Sequence, residues 1–203
     1  MQTIKYLKQN EIQQLLNVVD SRRDYLMLTL GYQLGLRAWE IITLERRHFD
    51  VLPDKVICVI ERLKGSNDTR HELTPSTANL VREYLAAMPV TEPYLFKGNR
   101  LSSVPRTIRR NGQDYAVGAH LSYKAFWELF RKYCRMAGIS TKQASPHSLK
   151  HSSAMAMLPY GINVVQKHLG HVSGASTLIY LAVQQEEVDA AAHKAFAEGR
   201  LTA

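Results

Sequence analysis

Three short segments of the chain bring together cations, histidines and a tyrosine. GLRAWEIITL places Arg37 at a helix junction, PHSLKH supplies His147 and Lys150, and HLGH ends at His171, nine residues before Tyr180. An arginine fork and a histidine can hold the oxygens of an anionic phosphodiester and stabilise the charge that grows on them in the transition state. A tyrosine hydroxyl beside them is a candidate nucleophile, because a base or a cationic setting can help to remove its proton.

Each segment taken alone also fits an ordinary structural role. An Arg-x-x-Glu pair is usually a surface ion pair, a histidine at a helix start is commonly a hydrogen-bonded structural residue, and a tyrosine in an apolar run commonly belongs to the core. A metal site is a further alternative, since His147 and His151 are spaced i, i+4 and His168 and His171 i, i+3. No HExxH motif or cysteine cluster accompanies them, so we expect no metal ion.

Taken in order, the segments resemble the tyrosine recombinases, the phage integrase family. That family's pattern is an arginine in G-x-R-x-x-E, a lysine in a β-hairpin, His-x-x-Arg, Leu-Gly-His and a tyrosine about nine residues further on. GLRAWE, RLKGSNDTRHEL, HSLKH, HLGH and the spacing to Tyr180 match it in order, over about residues 7–185. Among family members, the layout is similar to that of the short fimbrial phase-variation invertases, which consist of little more than the catalytic domain.

The resemblance implies a role for each matching residue. The implied catalytic residues are Tyr180 as nucleophile, Arg37, Lys64, His147, Lys150 and His171, with Glu40 as structural support. By the same resemblance, His147 is the candidate base, and Lys64 on the hairpin turn is the general acid that protonates the departing 5′-oxygen. Because the 3′-phosphotyrosyl link keeps the bond energy, no ATP, metal or other cofactor is expected.

Lys150 departs from the family pattern, which has arginine at this position. An ammonium supplies charge but not the bidentate fork of a guanidinium. The chain is therefore an active enzyme with a tolerated lysine, a slow enzyme, or a degenerate DNA-binding relative that acts as a regulator. We favour a site-specific recombinase, because the nucleophile and the other matching residues are present. A type IB topoisomerase shares the chemistry, but such chains normally have arginine here and tend to be larger.

The charge balance predicts a polyanionic partner. Lys and Arg total 26 against 18 Asp and Glu, a formal net charge of +8, and neutralising DNA phosphates releases their counterions. Residues 97–120 are predicted to form a long irregular basic loop, in which 97–113 holds five basic residues and no acidic one. This segment is either a solvated loop or a surface that tracks double-stranded DNA. The candidate DNA-binding residues are Lys97, Arg100, Arg106, Arg109, Arg110 and, on the following helix, Lys124.

The elements that must position these residues are mostly helical. Apolar spacing and capping residues predict helices at 10–19, after the Ser21 cap, after Arg37, at 77–88, after the Ser122 cap, at 147–157, at 163–170, around Tyr180 and at 185–197. β-Branched residues at about 55–63, a polar turn and HELTP predict a hairpin. The predicted fold is mainly α with a small antiparallel β-sheet (α+β), the tyrosine recombinase catalytic-domain fold. Residues 1–203 are expected to form a single catalytic domain without a separate N-terminal DNA-clamping domain.

The remaining features concern location and assembly. The chain is 45% hydrophobic, enough for a sizeable core, yet it has no apolar run of membrane-spanning length and no apolar signal segment, so we expect a cytoplasmic protein. Cys58 and Cys134 lie in apolar segments and are predicted to be reduced core residues. The helix within 184–203 packs on its own core or docks on a neighbour. The resemblance implies monomers in solution that assemble into a homo-tetramer on DNA.

Overall fold

The computed structural model describes residues 4–63, 65–98, 106–110, 113–117, 120–142 and 144–198. Its helices in chain order are α1 (Gln9–Asn17), α2 (Arg22–Gln33), α3 (Ala38–Ile42), α4 (Pro75–Ala87), α5 (Tyr123–Met136), α6 (Pro146–Met157), α7 (Ile162–Leu169) and α8 (Ala175–Glu198). Its strands are β1 (Phe49–Val51), β2 (Val56–Ile60), β3 (Thr69–Glu72), β4 (Arg106–Arg110) and β5 (Gln113–Val117). The predicted fold class, mainly helical with a small antiparallel sheet, is confirmed.

The main core surrounds α2, whose central residues from 26 to 31 are all buried. Leu26, Leu28 and Leu30 are buried, and the helix packs against α1, α3, α4 and α6. A helix that is apolar all round belongs in an interior, because any exposed face would leave apolar surface in water. Ser21 begins α2 as predicted, since its hydroxyl accepts a hydrogen bond from the Asp24 backbone N–H at 3.4 Å. The packing of this buried helix fixes the position of the α2–α3 junction.

The predicted hairpin forms part of a three-stranded sheet in the order β1-β2-β3. β2 is the middle strand and pairs antiparallel with both neighbours, so Cys58 lies between Phe49 and His71. The sequence VICVI suits this place, because a central strand covered on both faces requires an apolar run. The short strand β1 was not predicted. Cys58 and Cys134 are free and buried, as expected.

Two predicted elements differ from the structure. Residues 97–120 were predicted to be irregular, but β4 and β5 within them pair as an antiparallel hairpin. The Asn-Gly dipeptide at 111–112 is a strong hairpin signal, which the surrounding charges and glycines obscured. The helix predicted at 185–197 is not a separate element, because α8 runs unbroken through Tyr180 to Glu198. No proline or glycine interrupts that stretch, so nothing in the sequence stops the helix.

A second, smaller core joins α6, α7 and α8. Its buried members are Ala154, Leu158, Val165, Leu169 and Tyr180. Tyr180 is the largest of them, so the packing of this cluster sets the position of its hydroxyl. In the part of the chain that the structure describes, no helix is both long enough and apolar enough to cross a membrane.

Candidate active site

Arg37 lies where the chain turns between α2 and α3. Gly35 makes this turn with a φ of +57°, and an added Cβ would stand 2.5 Å from a methyl of Leu169, so glycine is required for both conformation and space. The backbone N–H of Arg37 donates to Oε2 of Glu40 at 2.8 Å and caps α3. Its Nη1 donates to Oε1 of the same carboxylate at 2.7 Å. Glu40 therefore holds Arg37 through two hydrogen bonds, one to its backbone and one to its guanidinium.

The turn of the β2–β3 hairpin also bonds to Arg37. Nη1 donates to the Leu63 carbonyl at 3.1 Å, and Nη2 donates to the Ser66 hydroxyl at 2.9 Å. Lys64 itself lies outside the described residues. Turn residues on either side of it are therefore bonded to the guanidinium of Arg37.

Arg62 is the buried partner that connects these elements; it opens the matched segment RLKGSNDTRHEL, but no role was predicted for it. Its side chain is 0% exposed, and Nη1 donates to Oε2 of Glu40 at 3.0 Å. Its other bonds go to the Thr69 hydroxyl, to the His71 ring and to the carbonyls of Leu34, Gly35 and His168. Burial acts to raise the pKa of the Glu40 carboxyl, but the charges of Arg62 and Arg37 and the bonds from Arg37 outweigh it, so that pKa lies below its usual range. Glu40 is consequently a carboxylate at neutral pH.

Lys150 and His171 meet although 21 residues separate them. Lys150 is on α6 and 7% exposed, and its Nζ lies 3.3 Å from Nε2 of His171. The Nδ1 atom of His171 lies 2.9 Å from the Thr177 hydroxyl at the start of α8. Because an ammonium can only donate, Nε2 accepts and the ring proton resides on Nδ1, which donates to Thr177.

Gly170 brings the hairpin turn and the Leu-Gly-His segment together. Its φ is +67°, and an added Cβ would stand 2.2 Å from the carbonyl oxygen of Asn67. The Asn67 N–H in turn donates to the Gly170 carbonyl at 2.8 Å. The glycine of the segment thus permits a close backbone approach that fixes the hairpin beside His171.

Tyr180 points its hydroxyl at His151, a residue that received no role from the sequence. Tyr180 is 1% exposed, and its hydroxyl lies 3.0 Å from Nδ1 of His151 on α6. Burial raises the pKa of the phenol, while the charge of Arg37 acts in the opposite direction. His147, the predicted base, lies one helical turn earlier and is an exposed residue in the first turn of α6. The phenol is therefore buried and, because its pKa is raised, protonated at neutral pH.

Four histidines near the site have depressed pKa values. Burial lowers the pKa of His151 to about 4, with the charges of Lys150 and His147 adding to the effect. Burial followed by the charge of Lys150 likewise lowers the pKa of His171 to about 4. Behind them, burial lowers the pKa of His168, which bonds Ser153 at 2.8 Å, to about 4 and that of His71 to about 3. All four are neutral at pH 7.

The structure brings four of the six predicted catalytic residues together; Lys64 is not among the described residues, and His147 is exposed on the same helix as Lys150. Arg37, Lys150, His171 and Tyr180 converge from α3, α6, the α7–α8 connection and α8. The residues that sequence reasoning missed are Arg62, Ser66, His151 and Thr177. Within the described ranges, no three His, Cys, Asp or Glu side chains are grouped so as to hold a metal ion.

The predicted DNA-binding residues are described only in part. Lys97 is exposed and forms an ion pair with Glu92, and Lys124 is exposed with Glu128 at 3.9 Å. Arg106, Arg109 and Arg110 lie in β4, where only the backbone is described, and Arg100 is outside the described residues. Trp127 on α5, which was not predicted, is partly exposed and has the guanidinium of Arg131 4.5 Å from its ring centroid.

A helical domain with a three-stranded sheet and this cluster of cations, histidines and a tyrosine is the architecture of the phage integrase class. A sequence profile of the Phage integrase family matches residues 5–187, and the chain belongs to this family. It is 31% identical over 193 residues to the tyrosine recombinase XerA of Pyrococcus horikoshii, a match that covers 94% of this chain and 61% of that protein. It is 34% identical over 198 residues to a tyrosine recombinase of Pseudothermotoga lettingae, a match that covers 96% of this chain and 62% of that protein.

Solved structures show the same fold. The XerA recombinase crystal structure superposes with a TM-score of 0.69 at 23% identity, over 93% of this chain and 66% of that one. The XerH recombinase in a post-cleavage complex with a palindromic difH substrate superposes with a TM-score of 0.72 at 20% identity, over 95% of this chain and 53% of that one. The chain spans about three fifths of the length of these curated relatives.

Proposed function

We propose that this chain is a site-specific DNA recombinase that cuts and rejoins DNA through a covalent 3′-phosphotyrosyl intermediate. The observation that carries the proposal is a chain of contacts between distant parts of the sequence. The Tyr180 hydroxyl contacts His151, the neighbour of Lys150, and Lys150 contacts His171. The charge of Arg37 acts on both His171 and Tyr180, so the guanidinium and the phenol belong to one electrostatic environment. A phosphodiester placed there would meet two cations and a nucleophile.

In the proposed mechanism, Arg37 and Lys150 bind the non-bridging oxygens of the scissile phosphate. Once the phosphate draws the Lys150 ammonium away, the His171 ring can carry its proton on Nε2 and donate it to the phosphate, while Nδ1 accepts from the Thr177 hydroxyl. Lys64 is the proposed general acid, supported by the bonds that Leu63 and Ser66, close to it in the turn, make with Arg37. The phenolic proton passes to a nearby histidine, for which the resemblance offers His147 and the contact with the Tyr180 hydroxyl offers His151. None of these steps requires ATP or a metal ion.

Tyr180→Phe tests the nucleophile. The protein is incubated with nicked duplexes tiled across the DNA that flanks its gene, and covalent adducts are separated on a denaturing gel. The native protein is expected to form an adduct that survives SDS and excess EDTA, and the Phe variant is expected to form none while it binds DNA as before. Tyr160→Phe is the matched control, because Tyr160 is exposed and outside the cluster. Binding without an adduct in the native protein would instead make the chain a DNA-binding regulator.

We also propose that β4, β5 and α5 contribute a DNA-binding surface. Arg106, Arg109 and Arg110 lie on β4, and Lys124 is exposed at the start of α5. Replacing Arg109 and Arg110 by Glu should weaken binding to any DNA and flatten the dependence of log affinity on log salt, by roughly one unit of slope for each phosphate that is no longer neutralised. The same pair replaced by Lys keeps the charge and should keep the slope. An unchanged slope in the Glu variant would remove this hairpin from the DNA surface.

The proposed assembly is a homo-tetramer on two DNA duplexes. It forms from monomers, each of which contributes one catalytic domain. Exposed apolar residues on α8, namely Leu178, Ile179, Leu181 and Val188, support a surface there that another protomer covers. Light scattering should give the mass of one chain without DNA and that of four chains plus two duplexes with substrate. Because its proposed substrate is DNA, the proposed compartment is the cytoplasm. A single chain per duplex at saturation would contradict the tetramer.

A further inference from the structure

The contact between Tyr180 and His151 joins the proposed nucleophile to a group that can receive its proton. The hydroxyl and Nδ1 are 3.0 Å apart, and the two rings have their centroids 5.8 Å apart. The first of these distances is one over which a side chain can remove a proton as a general base. Tyr180 is packed in place, since it belongs to the small core of α6, α7 and α8.

The charged and titratable groups around His151 decide when this contact can transfer a proton. Lys150 and His147 lie on the same helix, Tyr180 faces it from α8, and His171 approaches from the connection before α8. Burial and the positive charge of Lys150 keep the imidazole neutral, and the phenol keeps its proton. A neutral imidazole with its proton on Nε2 accepts the hydrogen bond of the phenol through Nδ1.

A bound phosphodiester would change this balance. Its negative charge would stand beside Lys150 and offset the field that now opposes protonation of His151. The charge on the phosphate increases further in the transition state, so the imidazolium would be favoured when the phenol attacks. The same contact is therefore inactive without DNA and active with it.

We infer that His151 is the catalytic residue that accepts the proton of Tyr180 during DNA cleavage, and that the bound phosphate enables this transfer. The inference rests on the proposed recombinase function. In the step, the bond from the Tyr180 oxygen to phosphorus forms while the bond from phosphorus to the 5′-oxygen breaks. The phenolic proton moves to Nδ1 of His151, and the 5′-oxygen takes a proton from the general acid, for which Lys64 is proposed. During rejoining the imidazolium returns its proton to the departing phenolate.

His151→Asn tests this role, because the amide oxygen of Asn can accept a hydrogen bond near the position of Nδ1 but cannot take a proton. Single-turnover adduct formation on a nicked substrate is measured for the native protein and the variant. The measurement is repeated with a fluorinated tyrosine at position 180, whose phenol is more acidic. With native tyrosine, we expect Asn to slow adduct formation by roughly a hundredfold or more, as for loss of a general base. With the fluorinated tyrosine, we expect that deficit to shrink by about tenfold or more. The more acidic phenol loses its proton more readily, so the reaction depends less on a base.

His147→Asn is the matched control on the same helix. If His151 is the acceptor, the more acidic phenol should leave the deficit of the His147 variant unchanged. Equal rates for native protein and His151→Asn would overturn the inference. A deficit that the fluorinated tyrosine does not reduce would also overturn it and would make His151 a positioning residue. Rescue of the His147 variant alone would move the base role to His147. An absence of adduct in the native protein would instead overturn the proposed function, so the two failures are distinguishable.

Discussion

Glu40→Gln should destabilise the fold far more than an ordinary loss of one surface charge. The carboxylate is 2% exposed and accepts four hydrogen bonds, two from Arg37 and one each from Arg62 and the Leu63 backbone. Glutamine is nearly the same size, but it has no charge and turns an N–H group towards these donors. The fully buried guanidinium of Arg62 then has no counter-charge.

The magnitude follows from that burial. Removing one partner of a buried ion pair costs about 3–5 kcal/mol, which is roughly two to four orders of magnitude in the folding equilibrium. The matched control is Glu83→Gln, since the ion pair of Glu83 with Arg22 has side chains 59% and 86% exposed. A surface pair of this kind contributes about 0–1 kcal/mol. The comparison thus separates burial from charge.

Urea unfolding at several pH values provides the assay. Because the folded-state pKa of Glu40 is lowered, its stabilising contribution is complete above the unfolded-state pKa and is lost as the pH falls through the folded value. The difference in unfolding free energy between native protein and Glu40→Gln should be full at pH 7 and should narrow below about pH 4. A cost within about 1 kcal/mol of the Glu83 control, or a difference independent of pH, would refute the assigned role of Glu40.

Three further changes test the site and its surroundings. Lys150→Ala should slow adduct formation by roughly ten- to a hundredfold, the value of one charge-assisted hydrogen bond, and a rate equal to that of the native protein would place Lys150 away from the phosphate. Gly170→Ala should lower the free energy of unfolding by more than Gly138→Ala does, as measured in urea. Both glycines have positive φ, but only Gly170 has backbone within 4 Å of an added Cβ. Equal losses of unfolding free energy would argue against the close backbone approach at Asn67. Stability should fall from about pH 6.5 towards pH 4, because the four histidines with depressed pKa values bind protons in the unfolded chain first. Urea midpoints independent of pH over this range would contradict their burial.

Local sequence signals predicted most of the fold. Ser21 and Ser122 cap the helices that follow them, and the apolar strand VICVI occupies the centre of the sheet. These features depend on residues a few positions apart, which a sequence displays directly. The β4–β5 hairpin was missed because the surrounding charges and glycines obscured the Asn-Gly turn signal.

The candidate site was predictable only where local motifs carry it. Arg37 with Glu40 and His171 nine residues before Tyr180 are visible as patterns. Arg62 is not, because its partners include residues 22 to 106 positions away, which meet it only through the packing of the sheet against α2 and α7. His151 was visible as a histidine beside Lys150, but its contact with the Tyr180 hydroxyl depends on how α8 crosses α6.

The unbroken α8 helix connects Tyr180, near its beginning, to the distal turns that end at Glu198. Its 24 residues from Ala175 to Glu198 span about 36 Å, with Tyr180 about 7.5 Å from the beginning. A rigid tilt of about 10° at that beginning moves the far end by about 6 Å and the Tyr180 backbone by about 1.3 Å. Displacements of about 1 Å change reaction rates on the order of a hundredfold. A force that tilts the distal turns of α8 would therefore move Tyr180 by about 1 Å, a distance large enough to bring the phenol into or out of alignment for attack.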